Sequence, residues 1–146
     1  MTEVPALLDS DTLSELSRGR GRVVDRTRRY LERHGRLTIS AVTVFERLRG
    51  YRAALARGKP LEPQLRQFEG LVRLCIVLPV DEEVADVAAT MWASLAVRVR
   101  RAVGDILIAA TASARGLPLV TRNRRDFEPM SKIDGVELRL LDWTRP

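Results

Sequence analysis

The chain has 146 residues, 45% apolar and 30% charged, a balance that describes a globular polypeptide with a real core and excludes a disordered one. No apolar run approaches the roughly 20 residues that a membrane-crossing helix needs, and the start, MTEVPALLDSD, with an early acid and a short apolar run, reads against a signal peptide. Basic residues outnumber acidic ones 25 to 19, for a net charge of +6, and the single cysteine, Cys75, excludes an internal disulfide, so a cytoplasmic protein is expected.

The elements alternate in kind along the chain. ALLDS (6–10) reads as a buried strand ending in a carboxylate, and Asp11 as the N-cap of a short helix through TLSELS. After the GRGRV turn, VVDRTRRYLERHG forms an amphipathic helix stopped by Gly35. LTIS (37–40) is a second strand, and Ser40 caps the helix AVTVFERLRGYRAALARG, with Val42, Phe45, Leu48 and Ala53 at helical spacing. Pro60 and Pro63 open a segment carrying Leu65, Phe68, Leu71 and Val72, followed by a third strand, CIVLPV (75–80). A helix over 81–97 begins with Asp81 and Glu82 at its positive end. A helix over 105–115 is opened by Asp105 and ended by Gly116; LPLVT (117–121) is a fourth strand, a turn or short helix follows at 123–127, and VELRLLD (136–142) is a terminal edge strand. Strands alternating with helical crossovers predict an α/β fold, a three-layer sandwich with a mainly parallel sheet. No repeat or linker divides the chain, so one domain over 1–146 is expected.

In open α/β sheets, sites form outside the carboxyl ends of the strands. That rule singles out four acids: Asp9 closing the first strand, Glu46 early in the helix after the second, Asp105 opening the helix before the fourth, and Asp126 in the loop leaving it. Each alone has an ordinary account, as a helix cap, a surface charge or an arginine partner. Gathered on one rim, they repel one another unless a cation or proton compensates. A hard divalent cation, Mg²⁺ or Mn²⁺, takes oxygen ligands and activates water, so the set points to metal-assisted phosphodiester hydrolysis. The arginine clusters at 18–22, 26–29, 98–101 and 122–125 suit a nucleic-acid partner, although a solvated face or a protein contact accounts for any single cluster equally well.

Other chemistries find little support. The only histidine, His34, stands at a predicted helix C-terminus, Cys75 lies in a predicted core strand, and no Walker A loop, G-x-G-x-x-G fingerprint or G-x-S-x-G elbow occurs.

LLDSDTLSEL (7–16), ISAVTVFERLRG (39–50), GDILIAATASARGLPLVTRNRRDF (104–127) and GVELRLLDW (135–143) resemble, in order and spacing, the PIN-domain ribonucleases of the VapC toxin type. The resemblance covers nearly the whole chain, and over 51–100 only in helical character. It implies an α/β/α fold and an Mg²⁺- or Mn²⁺-dependent endoribonuclease, the toxin of a toxin–antitoxin pair. It further implies control by a cognate VapB-type antitoxin, and a homodimer. Asp9, Glu46 and Asp105 match the family's acids; Asp126 falls in a more variable block, and Asn123 occupies a position that holds Asp or Asn, which leaves the fourth ligand open between them. Asp11 is a further supporting acceptor, and Arg122 either a phosphate holder or the ion-pair partner of one of the acids. A partner helix is expected in a groove between the helices at 11–34 and 41–57. The arginines of RVRRAVGD, where relatives carry a Gly/Pro turn, are expected to suit RNA phosphates. The RNA stays open among a tRNA loop, an rRNA stem-loop and mRNA. Two other readings remain: a non-catalytic RNA- or protein-binding module, and a housekeeping PIN nuclease of RNA processing.

Overall fold

A computed structural model describes residues 4–146; the first three residues, on which the reading against a signal peptide partly rests, lie outside them. Five short strands, β1 (Leu7–Leu8), β2 (Thr38–Ser40), β3 (Ile76–Leu78), β4 (Leu119–Val120) and β5 (Leu140–Leu141), form one sheet in the order β3-β2-β1-β4-β5. Every pairing is parallel, with Leu7 opposite Thr38 on one side and Leu119 on the other. Parallel neighbours need long crossovers, and the helical segments supply them.

Because side chains alternate across a strand, each strand feeds two cores. Leu7, Leu119 and Leu140 pack with α5 (Glu82–Ser94), α7 (Val103–Ala114) and α8 (Arg124–Ser131). Leu8, Ile39 and Val120 pack on the opposite face with α1 (Ser10–Ser17), α2 (Gly21–His34) and the indole of Trp143. Tyr30 of α2 is buried in this second core, and its hydroxyl both accepts from the Ala6 amide at 3.1 Å and donates to the Ala6 carbonyl at 3.3 Å, tying α2 to the entry of β1. The expected three-layer α/β/α sandwich is what forms. The chain runs from β1 outward to β2 and β3, then returns past β1 to β4 and β5. The sheet therefore has a topological switch point beside β1, and a crevice opens there at the carboxyl ends of the strands.

α7 lies against α5 and α3 (Ala41–Ala56). Its inward positions are mostly small: Ala109, Ala110 and Ala112 are buried, which lets the backbones approach, while Ile106 and Ile108 fill the remaining space. Each of those isoleucines contributes about 1.5–3 kcal/mol of burial. Gly116, at φ 65°, takes the left-handed conformation that ends the helix, and Gly35, at φ 79°, does so for α2.

Several expectations shift. The N-cap of α1 is Asp9, not Asp11, since the Asp9 carboxylate accepts from the Thr12 amide. α7 begins two residues before Asp105, which thus sits in its first turn rather than at its cap. A separate short helix, α6 (Val97–Arg100), follows α5 where a loop was expected. β3 is an edge strand with Ile76 and Val77 exposed, although its composition reads as core. In α3 the residues that go inside are Thr43 and Ala54, leaving Phe45 and Ala53 exposed. Helical spacing locates an apolar stripe but not what covers it. Among the described residues, no helix is long and apolar enough to cross a membrane.

Candidate active site

The site is assembled from element ends. Asp9 follows the last residue of β1 and is 3% exposed; its Oδ1 accepts from the Thr12 amide at 2.8 Å. Burial pushes its pKa up, and hydrogen bonds from Thr121 and Thr12 pull against that rise. Thr12 in turn donates to the Val120 carbonyl at 3.1 Å, which locks α1 to β4. Capping and a role in the crevice are compatible, because a carboxylate has two oxygens.

Glu46 lies in the second turn of α3, a helix capped by Ser40. Ser10, the first residue of α1, donates to its Oε1 at 3.5 Å. Asp105, in the first turn of α7, carries the clearest electrostatic signature: its pKa is pushed up to about 6, first by burial and then by the negative charges of Glu46, Asp126 and Asp9. Four carboxylates separated widely in sequence therefore share one electrostatic neighbourhood.

Three of these acids, Asp9, Glu46 and Asp105, line a cavity of about 400 Å³ together with Asp11, Asn123 and Arg47. Asn123 precedes α8, and its side-chain nitrogen donates to the Asp126 Oδ2 at 2.6 Å. Its backbone amide donates to Thr121 Oγ1 at 2.9 Å, so the residue that supports Asp9 also holds this turn. The two candidates for the fourth position thus form one unit, with Asn123 on the cavity wall and Asp126 bonded behind its amide.

Among the described residues, no three acidic, histidine or cysteine side chains form a ready-made ion cage. The donors are oxygens spread around an open cavity, and their mutual repulsion is what a hard cation relieves. Such an arrangement fits a small divalent ion that keeps several of its waters and uses few protein ligands. Asp9, Glu46, Asp105 and the Asn123–Asp126 unit are the groups able to hold it.

Other residues of the rim escaped the sequence reading. Arg47 lines the cavity and donates to Ser14 Oγ at 2.6 Å, placing a cation opposite the acids. A polar run in which Ser10 and Ser14 recur at helical spacing, facing Arg47 one residue beyond Glu46, was the available signal. Glu15 is 3% exposed and sits among Arg18 at 3.1 Å, Arg20 at 3.3 Å and Arg122 at 2.8 Å. Arg122 also pairs with Asp11 at 3.2 Å. Arg100, one of the arginines expected to face RNA, instead lies over the Trp92 ring at 4.2 Å and donates to the Trp92 and Ala93 carbonyls at the end of α5. His34 ends α2 with its ring against Tyr30 at 4.5 Å, and burial pushes the Cys75 thiol up, away from nucleophilic use.

The PIN domain matches residues 6–133 of the chain. The chain belongs to the PIN-domain family. A tRNA(fMet)-specific endonuclease VapC of Shigella flexneri is 37% identical over 112 residues, covering 75% of this chain and 77% of that protein. In three dimensions, a chain of the DNA-bound VapBC of Salmonella typhimurium superposes with a TM-score of 0.76 at 28% identity, over 97% of this chain and 99% of that one. FitAcB of Neisseria gonorrhoeae superposes with a TM-score of 0.71 at 25% identity, over 97% and 99%. This PIN domain is of the VapC type, a nuclease of a family that depends on divalent metal, and the all-oxygen donor set agrees with that dependence.

Proposed function

We propose that this chain is an endoribonuclease toxin of a VapBC-type pair, that it works in the cytoplasm with Mg²⁺ or, in its place, Mn²⁺, and that residues 1–146 form a single nuclease domain. The observation that carries the proposal is the convergence of Asp9, Glu46, Asp105 and Asp126 on one rim of a basic α/β domain, registered in the raised pKa of Asp105. The VapC relative named for tRNA(fMet) makes tRNA the first RNA to test, and the VapBC complexes among the structural neighbours make a VapB-type antitoxin the expected partner. A homodimer is the expected assembly.

Asp9, Glu46, Asp105 and Asn123 are assigned as the groups that hold the cation, with Asp126 acting directly or through the Asn123 amide. When bound, the cation supplies Lewis acidity toward the scissile phosphate and lowers the pKa of water. Asp105, whose carboxyl is raised to about 6 by burial and then by the charges of Glu46, Asp126 and Asp9, would offer the cation its oxygen from the first turn of α7. Asp9 is held by its cap and by Thr121, and Arg47 on the cavity wall supplies a cation able to pair with a substrate phosphate. Purified protein is expected to cut tRNA with Mg²⁺ or Mn²⁺ and to stop with EDTA. Asp105→Asn is expected to fold and not cut; a folded variant with full activity would remove the assignment. Co-expression with a VapB-type antitoxin, followed by co-purification, tests the partner.

A further inference from the structure

A second recess, of about 600 Å³, adjoins the acidic cavity and shares Glu46 and Asp105 with it as a common wall. Its remaining lining combines apolar side chains, Phe45, Val80 and Val103, with two arginines, Arg49 and Arg101. Phe45 is 60% exposed, an unusual position for a large aromatic ring, and it immediately precedes Glu46 in α3. Residues four apart share a helix face, and accordingly the Arg49 guanidinium stands over the Phe45 ring at 5.4 Å.

We infer that this recess is a nucleotide subsite, in which an unstacked base of single-stranded RNA lies on the Phe45–Arg49 platform with its backbone phosphate toward Arg101, next to the cleavage site. The inference rests on the ribonuclease reading and extends it to how the substrate is held. RNA is read chiefly where its bases are unpaired and can stack on aromatic rings or guanidinium planes, and Phe45 with Arg49 offers both. The volume suits one nucleotide and lies within the ordinary range for ligand sites. Charge points the same way. The acidic rim repels an incoming phosphodiester, and the recess places two guanidinium groups beside it. The centre of a contact between protein surfaces is depleted in Glu and Asp, whereas Glu46 and Asp105 form a wall of this recess.

The test uses the full chain in EDTA, so that no cleavage occurs, and a short oligouridylate carrying one 2-aminopurine. Wild-type protein is expected to quench the 2-aminopurine emission on binding. Phe45→Ala is expected to abolish the quenching and weaken binding roughly tenfold, while Phe45→Trp restores both. Arg101→Gln is expected to lower the slope of affinity against salt by about 0.7, one phosphate contact on a single strand. Because Phe45 is exposed, circular dichroism should report an unchanged fold in Phe45→Ala. Wild-type affinity and quenching in Phe45→Ala would overturn the subsite, and loss of self-association by sedimentation in that variant would reassign the recess to a contact between copies. Failure of the wild-type chain both to bind the oligonucleotide and to cut any RNA would overturn the ribonuclease reading as well; retained cleavage with an indifferent Phe45 would overturn the subsite alone.

Discussion

Replacing Asp105 with asparagine should stop catalysis and at the same time make the metal-free protein more stable. In the fold the carboxyl group is raised from 3.8 to about 6 by burial and by three neighbouring acids. Its ionised form is therefore disfavoured in the native state and unpenalised in the unfolded one. This group costs nothing below about pH 4, its penalty grows as pH rises from about 4 to about 6, and above that the penalty is constant. Acting in full, the shift corresponds to about 3 kcal/mol, and solvent screening of a partly exposed carboxylate reduces it to about 1–2 kcal/mol. For a chain of this size that is a gain of about 3–6 °C in melting temperature. Calorimetry of wild type and Asp105→Asn in EDTA, at about pH 7.5 and about pH 4.5, should show the gain at the higher pH and most of it gone at the lower. Added Mn²⁺ should stabilise wild type and leave the variant nearly unchanged. A variant less stable than wild type at the higher pH, or a gain independent of pH, would refute the picture of mutually repelling carboxylates.

The remaining predictions separate site from scaffold. Asp9→Asn keeps an oxygen to cap α1 and should lose cleavage with little loss of stability, whereas Asp9→Ala should lose cleavage and also about 1 kcal/mol of stability by urea denaturation. A Cβ on Gly104 would overlap the Glu46 carboxylate. Gly104→Ala should therefore weaken Mn²⁺ binding, read by isothermal titration, without destabilising the helix, where alanine is favoured by about 0.5–1 kcal/mol. Glu15→Ala leaves three arginines without their buried anion and should cost about 2 kcal/mol in urea denaturation. It should also loosen the Arg122 side of the rim, seen as a higher KM for RNA with kcat nearly kept.

Much of the fold was legible because its signals are local. Gly35 and Gly116 end helices where the left-handed conformation is needed, Ser40 and Asp81 cap helices through their own side chains, and the alternation of short apolar runs with helical periods dictates parallel strands joined by crossovers. The acids were legible too, since an acid just after a strand or early in the next helix must lie near the sheet's carboxyl edge. What the sequence could not carry were relations between distant segments. Whether Phe45 or Thr43 goes inside depends on which face of α3 the folded chain covers, and α7 is one of the elements that pack against it. The exposure of Ile76 and Val77 follows from strand order, because β3 is at the edge of the sheet formed by the described residues. Arg122 is drawn to Glu15 and Asp11 only because β4 lies beside β1 in the sheet.

By itself, then, the sequence determined the type and order of the elements and the chemistry of the candidate site, since backbone propensity, capping and side-chain type act within a few residues of each other. Tertiary structure alone decided which apolar face is covered and which arginines are spent on internal ion pairs, because burial and charge pairing depend on neighbours that only folding brings together.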